Sequence, residues 1–191
     1  MDVILRFRTH RKALGGGIEK AFLYVSIAEE DRDVLRFLWF DDVKKESPRV
    51  IVLRFTRVVF GVSSSPFLLN ATVRHHVKRY EEEDPEFVQT FLRSVYVDDL
   101  NSGGDTDEEA YQLYVKSKLR LAEGGFNLRK FVTNAPELIA QIEENETRLK
   151  KTNNVQSVNG ESPFDHGTHL NDDISDCKSV IEDEQSSWSS V

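Results

Sequence analysis

Val95-Tyr96-Val97-Asp98-Asp99-Leu100-Asn101-Ser102-Gly103-Gly104 is the stretch whose reading decides the fold. An apolar, β-branched run meets two aspartates and then a second run that ends in glycines, which predicts a tight β-hairpin with two carboxylates at its tip. Adjacent residues on a strand face opposite ways, but at a sharp turn two side chains converge on one cation, and the cation offsets their repulsion. Magnesium suits such a pair: it takes one or two carboxylates, keeps waters and accepts phosphate oxygens as further ligands. An isolated Asp-Asp turn, by contrast, is most often just solvated.

Outward from the hairpin, the hydrophobic period alternates between two and 3.6. On the C-terminal side Thr106 and Glu109 form a capping box, and Ala110, Leu113, Tyr114, Ser117 and Leu121 keep helical spacing until Gly124 stops it. Residues 126–133 read as a last strand and 136–146 as a last helix. On the N-terminal side Asp84-Pro85 opens a short helix to about Phe91. Before it, Ser63-Ser64-Ser65-Pro66 reads as the entrance of a helix to about Tyr80, with serine capping the free amides and Phe67, Leu68, Ala71 and Val77 near one stripe. Residues 34–40 and 50–58 are extended runs joined by a polar loop ending in Pro48, a second hairpin. Ala21-Phe22-Leu23-Tyr24-Val25-Ser26-Ile27 reads as a buried strand. The predicted class is α+β: an antiparallel sheet with the helices that begin near Ser63 and Thr106 on one face.

Four of these segments together resemble the reverse transcriptase of retroelements, most closely the Pao/BEL-type retrotransposon family. Tyr96-Val97-Asp98-Asp99 matches that family's catalytic hairpin, and Ile18-Glu19-Lys20-Ala21-Phe22-Leu23 matches the strand before it in the palm. The run Arg54-Phe55-Thr56-Arg57-Val58-Val59-Phe60-Gly61-Val62-Ser63-Ser64-Ser65-Pro66-Phe67-Leu68-Leu69-Asn70-Ala71 looks like its template- and nucleotide-contacting loop and helix. Gly124-Gly125-Phe126-Asn127-Leu128-Arg129-Lys130 resembles the motif that closes the palm. The resemblance implies a polymerase palm-like sheet over residues 1–146 with partial fingers and no thumb, and two magnesium (or manganese) ions that clamp an in-line nucleotidyl transfer. It implies metal ligation by Asp98 and Asp99. It also implies a lysine near the leaving pyrophosphate at Lys130, and nucleotide contacts from Phe22, Gly61 and Tyr96, with Gly61 letting backbone approach the substrate. The implied partners are an RNA or DNA template-primer and a deoxynucleoside triphosphate, with further polyprotein segments absent from this chain.

One departure outweighs the matches. Five residues before Phe22, where such polymerases carry the aspartate that bridges both metals, this chain has Gly17, within Gly15-Gly16-Gly17. Glu19 is displaced by about two strand residues, roughly 6–7 Å, too far to substitute without rearrangement. The expectation is therefore a fragment whose ancestral activity is RNA-templated DNA synthesis, inactive as this chain, with weak magnesium binding. Two rivals are a non-enzymatic nucleic-acid- or protein-binding remnant, and a working polymerase that rebuilds its metal site with Glu19 or a partner chain. Whether His75-His76 chelate is easily judged: neighbours on a helix lie about 100° apart and cannot share one metal as an i, i+4 pair does.

Composition sets the outer limits. The 191 residues hold 25 Lys plus Arg against 33 Asp plus Glu, a formal charge of −8, which excludes a basic protein that coats nucleic acid through counterion release. The candidate basic patches are local: Arg6-Arg8-Arg11-Lys12, Arg74-Lys78-Arg79 and Lys116-Lys118-Arg120, each more often a solvated surface than a groove. Residues 147–191 contain eight acidic residues, four basic ones and eight serines, and read as a disordered acidic tail. A single cysteine, Cys177, excludes an internal disulfide framework. No apolar run approaches the roughly 18 residues that cross a bilayer, and no signal peptide is evident. The expected setting is intracellular, cytoplasmic, without a membrane.

Overall fold

The computed structural model describes residues 2–157. In chain order its elements are α1 (Asp2–Phe7), β1 (Lys12–Ile18), α2 (Ala21–Tyr24), a 3-10 segment (Glu29–Leu35), β2 (Arg36–Phe40), β3 (Val50–Arg54), α3 (Ser65–Lys78), α4 (Pro85–Ser94), β4 (Val95–Tyr96), β5 (Asp99–Gly104), α5 (Asp107–Glu123), β6 (Leu128–Thr133) and α6 (Pro136–Ser157). Four strands form one antiparallel sheet in the order β4-β5-β1-β6, while β2 and β3 pair separately. The fold is α+β, a four-stranded antiparallel sheet packed against helices.

Alternation along β1 separates the two faces of the sheet. Leu14, Gly16 and Ile18 share one face with Leu100 and Ser102, their register partners or neighbours on β5. Leu14, Ile18, Leu100 and Leu128 are buried there against a core that includes Leu69 and Val73 of α3, Phe91 of α4, Tyr114 and Leu121 of α5, and Leu138 of α6. At about 1.5–3 kcal/mol for each large apolar side chain removed from water, this shared core is the main force that holds helices and sheet together. Ala13, Gly15 and Gly17 lie on the opposite face with Asn101 and Asp99.

The helix ends follow local chemistry in part. Thr106 Oγ1 accepts from Glu109 N and the Glu109 carboxylate accepts from Thr106 N, so the capping box forms; Ala110, Leu113, Tyr114, Ser117 and Leu121 are all buried. Asp84 caps α4, its carboxylate accepting from Phe87 N at 3.2 Å. At α3 the serine cap does not form: Ser64 makes no side-chain cap bond, and Ser65 Oγ instead donates to Val59 O at 2.6 Å, tying the helix start to the preceding loop. The buried stripe of α3 is Leu69, Val73, His76 and Val77, whereas Phe67 is exposed. The buried stripe differs from the expected one because α3 packs on α2, α4 and α5 and leaves Phe67 at its entrance exposed.

Three further expectations are corrected. Residues 21–27 are not a strand: β1 ends at Ile18, Lys20 takes a left-handed conformation (φ 51°), and Ala21–Tyr24 turn into a short helix that buries Ala21 and Phe22. The actual strand is the glycine-rich one just before it, Lys12–Ile18, which carries no strand signal in its sequence because glycine is depleted in strands. The hairpin of β2 and β3 forms in the expected place, but as its own two-stranded sheet rather than part of the main one. The last helix continues to Ser157, past residue 146 and into the stretch read as tail; the rest of that stretch, 158–191, lies outside the described residues. Among the described residues no helix is long and apolar enough to cross a membrane.

Candidate functional site

The site is built on the tip of the β4–β5 hairpin and the end of β1. Val95 pairs with Leu100 and Tyr96 with Asp99, leaving Val97 and Asp98 as a two-residue loop. Val97 has φ 57°, in the left-handed region that two-residue hairpin turns ask of their first loop position and that glycine usually fills. A β-branched residue there is strained, by about 1–3 kcal/mol, and strain of this kind gathers at functional sites. Asp98 follows it, half-buried, and its carbonyl accepts from Ile18 N at 2.8 Å, which pins the loop to the end of β1.

Register then decides which side chains share the open face. Gly17 stands opposite Asp99 on one side and opposite Arg129 on the other, and Asp99 stands opposite Tyr96. The row across the sheet is Tyr96, Asp99, Gly17, Arg129. A Cβ added at Gly17 would lie 3.5 Å from Asp99 Oδ1, ordinary contact, with no other atom within 4 Å. The neighbouring glycines are closed by comparison: a Cβ at Gly15 would meet Val132 Cγ2 at 2.9 Å, and one at Gly16 the Phe131 ring at 3.0 Å. Position 17 is thus an open notch beside the hairpin carboxylates.

Electrostatics fit that picture. Partial burial, and secondarily the negative charge of Asp98, push the Asp99 carboxyl above the ordinary aspartate range. Glu19 does not join it. Its carboxylate accepts from Asn127 Nδ2 at 2.9 Å and Arg129 Nη1 at 2.6 Å, and these partners, the Asn127 hydrogen bond foremost, hold its carboxyl below the usual glutamate range.

The other predicted residues, Phe22, Gly61 and Lys130, lie on three separate segments. Phe22 is buried in the core, and its ring meets the exposed Phe60 edge-on at 4.6 Å between centroids. Gly61, next to Phe60, is exposed at φ 85° with open space where a Cβ would be, so a side chain there is opposed by backbone conformation rather than by crowding. Lys130 is exposed on β6 at φ 56°, where the pairing with β1 shifts register between Gly15 and Gly17. That irregularity puts Arg129, not Lys130, opposite Gly17. Sequence reading missed Arg129 and Asn127. Period-two counting back from Val132 does not reach Arg129 on the open face unless the irregularity is known.

The Lys116-Lys118-Arg120 patch is ion-paired throughout, and in the first patch Arg6 and Lys12 are paired. Arg6 pairs with Asp2, Lys12 with Asp107 at 2.9 Å, Lys116 with Asp84 at 2.5 Å, Lys118 with Glu146 at 2.7 Å and Arg120 with Glu83. Of the adjacent histidines, His76 is buried with Nε2 2.6 Å from Arg120 O, a structural contact.

The chain matches no protein-family model and no curated protein.

What the arrangement can do chemically follows from its donors. Among the described residues no group of three or more His, Cys, Asp or Glu could hold a metal ion. Asp98 and Asp99 alone supply a partial set, which does not fit a two-ion centre sharing a bridging carboxylate and leaves at most one weakly held hard cation, completed by water.

Proposed function

We propose that this chain is a reverse-transcriptase palm of the Pao/BEL retrotransposon type, ancestrally an RNA-templated DNA polymerase, whose catalytic centre is defective at Gly17. The observation that carries the reading is the notch: the one open glycine of the Gly15-Gly16-Gly17 run faces Asp99 across β1 and β5, where a carboxylate at 17 would complete a three-carboxylate cluster with Asp98 and Asp99. The strained Val97 loop and the Asp98–Ile18 backbone bond support it, because together they hold both aspartates at the end of β1. In this reading Asp98 and Asp99 hold one magnesium or manganese ion weakly, Tyr96 flanks the primer end, Phe22 and Gly61 belong to the nucleotide pocket, and Lys130 lies toward the pyrophosphate. Template-primer and deoxynucleoside triphosphate are the partners.

Losing a ligand shared by two ions forfeits several kcal/mol of transition-state stabilisation, a fall of at least about hundreds-fold in rate. Rescue by Glu19 is opposed by its bonds to Asn127 and Arg129. The rival, a non-enzymatic nucleic-acid- or protein-binding remnant, draws on the same defect; the ion-paired state of Lys116, Lys118 and Arg120 weighs against nucleic-acid binding at that one patch.

The test compares the chain with Gly17→Asp in primer extension with Mg²⁺ or Mn²⁺ and in Mg²⁺ calorimetry. The unaltered chain should give no extension and bind Mg²⁺ on the order of millimolar. Gly17→Asp should fold unchanged and bind Mg²⁺ at least about tenfold more tightly, a gain of roughly 1.4 kcal/mol. Asp98-dependent synthesis by the unaltered chain would overturn the defect, and unchanged Mg²⁺ affinity in Gly17→Asp would remove the metal-site reading altogether.

A further inference from the structure

Nearly all of the protein's net charge lies beyond the described fold. Residues 158–191 hold eight acidic residues and one lysine, Lys178, so they carry −7 of the total −8; residues 1–157 hold 25 acidic against 24 basic residues. The acidic residues come in two clusters, Asp172-Asp173-Ile174-Ser175-Asp176 and Val180-Ile181-Glu182-Asp183-Glu184. In each, carboxylates flank or follow β-branched apolar residues.

The described fold has a groove of matching character. It runs between the second half of α5 and the second half of α6 and encloses about 730 Å³. Its floor is apolar, with Val115, Leu119 and Ala122 from α5 and Leu149 from α6. The α6 stripe that begins buried with Leu138 and Ile142 reaches Leu149 still apolar but 40% exposed, and facing Leu119 is 56% exposed. The lining carries four cations, Lys118, Arg129, Arg148 and Lys150, against one carboxylate, Glu146. Lys118 and Arg129 already meet carboxylates, Glu146 and Glu19, which puts the exposed Lys150 at the mouth forward as the principal reporter.

We propose that the groove is the docking site of this chain's own acidic C-terminal segment, residues 180–184: Val180 and Ile181 against Leu119 and Leu149, with the three following carboxylates toward the cationic rim. Reach supports it. Helix α6 ends at Ser157, eight residues or about 12 Å beyond Leu149, and the 22 residues between Ser157 and Val180 span up to roughly 75 Å when extended, ample for a return. The tether gives an effective concentration in the millimolar range, so a modest intrinsic affinity suffices. The proposal stands independently of the polymerase reading.

Zero-length carbodiimide cross-linking of the full chain, with peptide mapping of the monomer, tests it. The expected result is Lys150 joined to Glu182, Asp183 or Glu184 in preference to Lys44 and Lys45 in the loop between β2 and β3. Raising ionic strength from about 0.05 to about 0.5 M should lower that yield, since screening shortens the reach of the charges. The exposed Lys150→Glu should lose the preference in favour of no other lysine, and the triple reversal Glu182→Lys, Asp183→Lys, Glu184→Lys, which leaves the described fold untouched, should free the groove so that a peptide of residues 176–188 added in trans cross-links to Lys150. Even coupling to all exposed lysines, or links found only between two copies, overturns the proposal.

Discussion

Val97 shows what a single residue contributes at the hairpin tip. At an ordinary position glycine is less stable than alanine by about 0.5–1 kcal/mol, because it loses more backbone freedom on folding. At φ 57° the order should reverse, since a Cβ in the left-handed region costs roughly 1–2 kcal/mol and glycine escapes that cost. Val97→Gly should therefore be more stable than Val97→Ala by about 1 kcal/mol in urea denaturation, both having lost the same packing of Val97 against the core. Equal stabilities, or alanine ahead, would show that the loop relaxes and stores no strain. Gly17 is the opposite case: nothing crowds it and its φ is not positive, so neither space nor backbone conformation requires a glycine there.

Between elements, the contact of α3 with the C-terminal end of α5 offers a test of packing. A Cβ on Gly124 would lie 2.8 Å from three atoms of the His76 ring, and the ring cannot swing away while Nε2 holds Arg120 O. Gly124→Ala should cost about 1–3 kcal/mol by overpacking; a thermal midpoint within a degree of the parent would show that the two helices slide apart freely. The same ring makes stability depend on pH. Burial first, then the nearby cations Arg79 and His75, pull the His76 pKa below its ordinary 6.5, although its bond to Arg120 O and the charge of Glu123 act the other way. With the folded pKa below the unfolded one, the unfolded chain takes up the proton first as pH falls. The contribution is whole above about 6.5 and is lost progressively below it. Urea midpoints should fall from pH 7.5 to pH 5.5, and His76→Gln should flatten that slope; an unchanged slope would assign the effect to other groups.

Across the whole molecule, stability is unevenly spread. β1 and β5 are paired on both edges and cover the core, whereas the β2–β3 hairpin exposes Leu38, Trp39, Phe40, Val50 and Val52 and, among the described residues, pairs with no third strand. A lone two-stranded sheet is marginal in water. Amide exchange should reflect it: amides of Leu14, Gly16 and Leu100 should be the slowest, and those of β2 and β3 faster by orders of magnitude, opening locally without global unfolding. Comparable protection in both sheets would mean that the hairpin's apolar face is covered in solution.

The elements legible in the chain were those governed by neighbours in sequence. The capping box at Thr106, the buried stripe of α5, the cap at Asp84 and the turn between Tyr96 and Asp99 all depend on side chains within four residues of one another, so period and turn chemistry sufficed. The strand Lys12–Ile18 was not legible, because three glycines bury little area themselves and its stability is supplied by β5 and β6, more than 80 residues away in the chain. The same holds for the α3 stripe, which is set by packing against α2, α4 and α5. Within the site, the two aspartates and the absence of a carboxylate at position 17 stood in the sequence. That Gly17 faces Asp99 with room for a side chain, that Glu19 is held by Asn127 and Arg129, and that Arg129 rather than Lys130 completes the row were decided by tertiary structure alone, because strand register and its irregularities are set by pairing between distant segments and not by any local pattern.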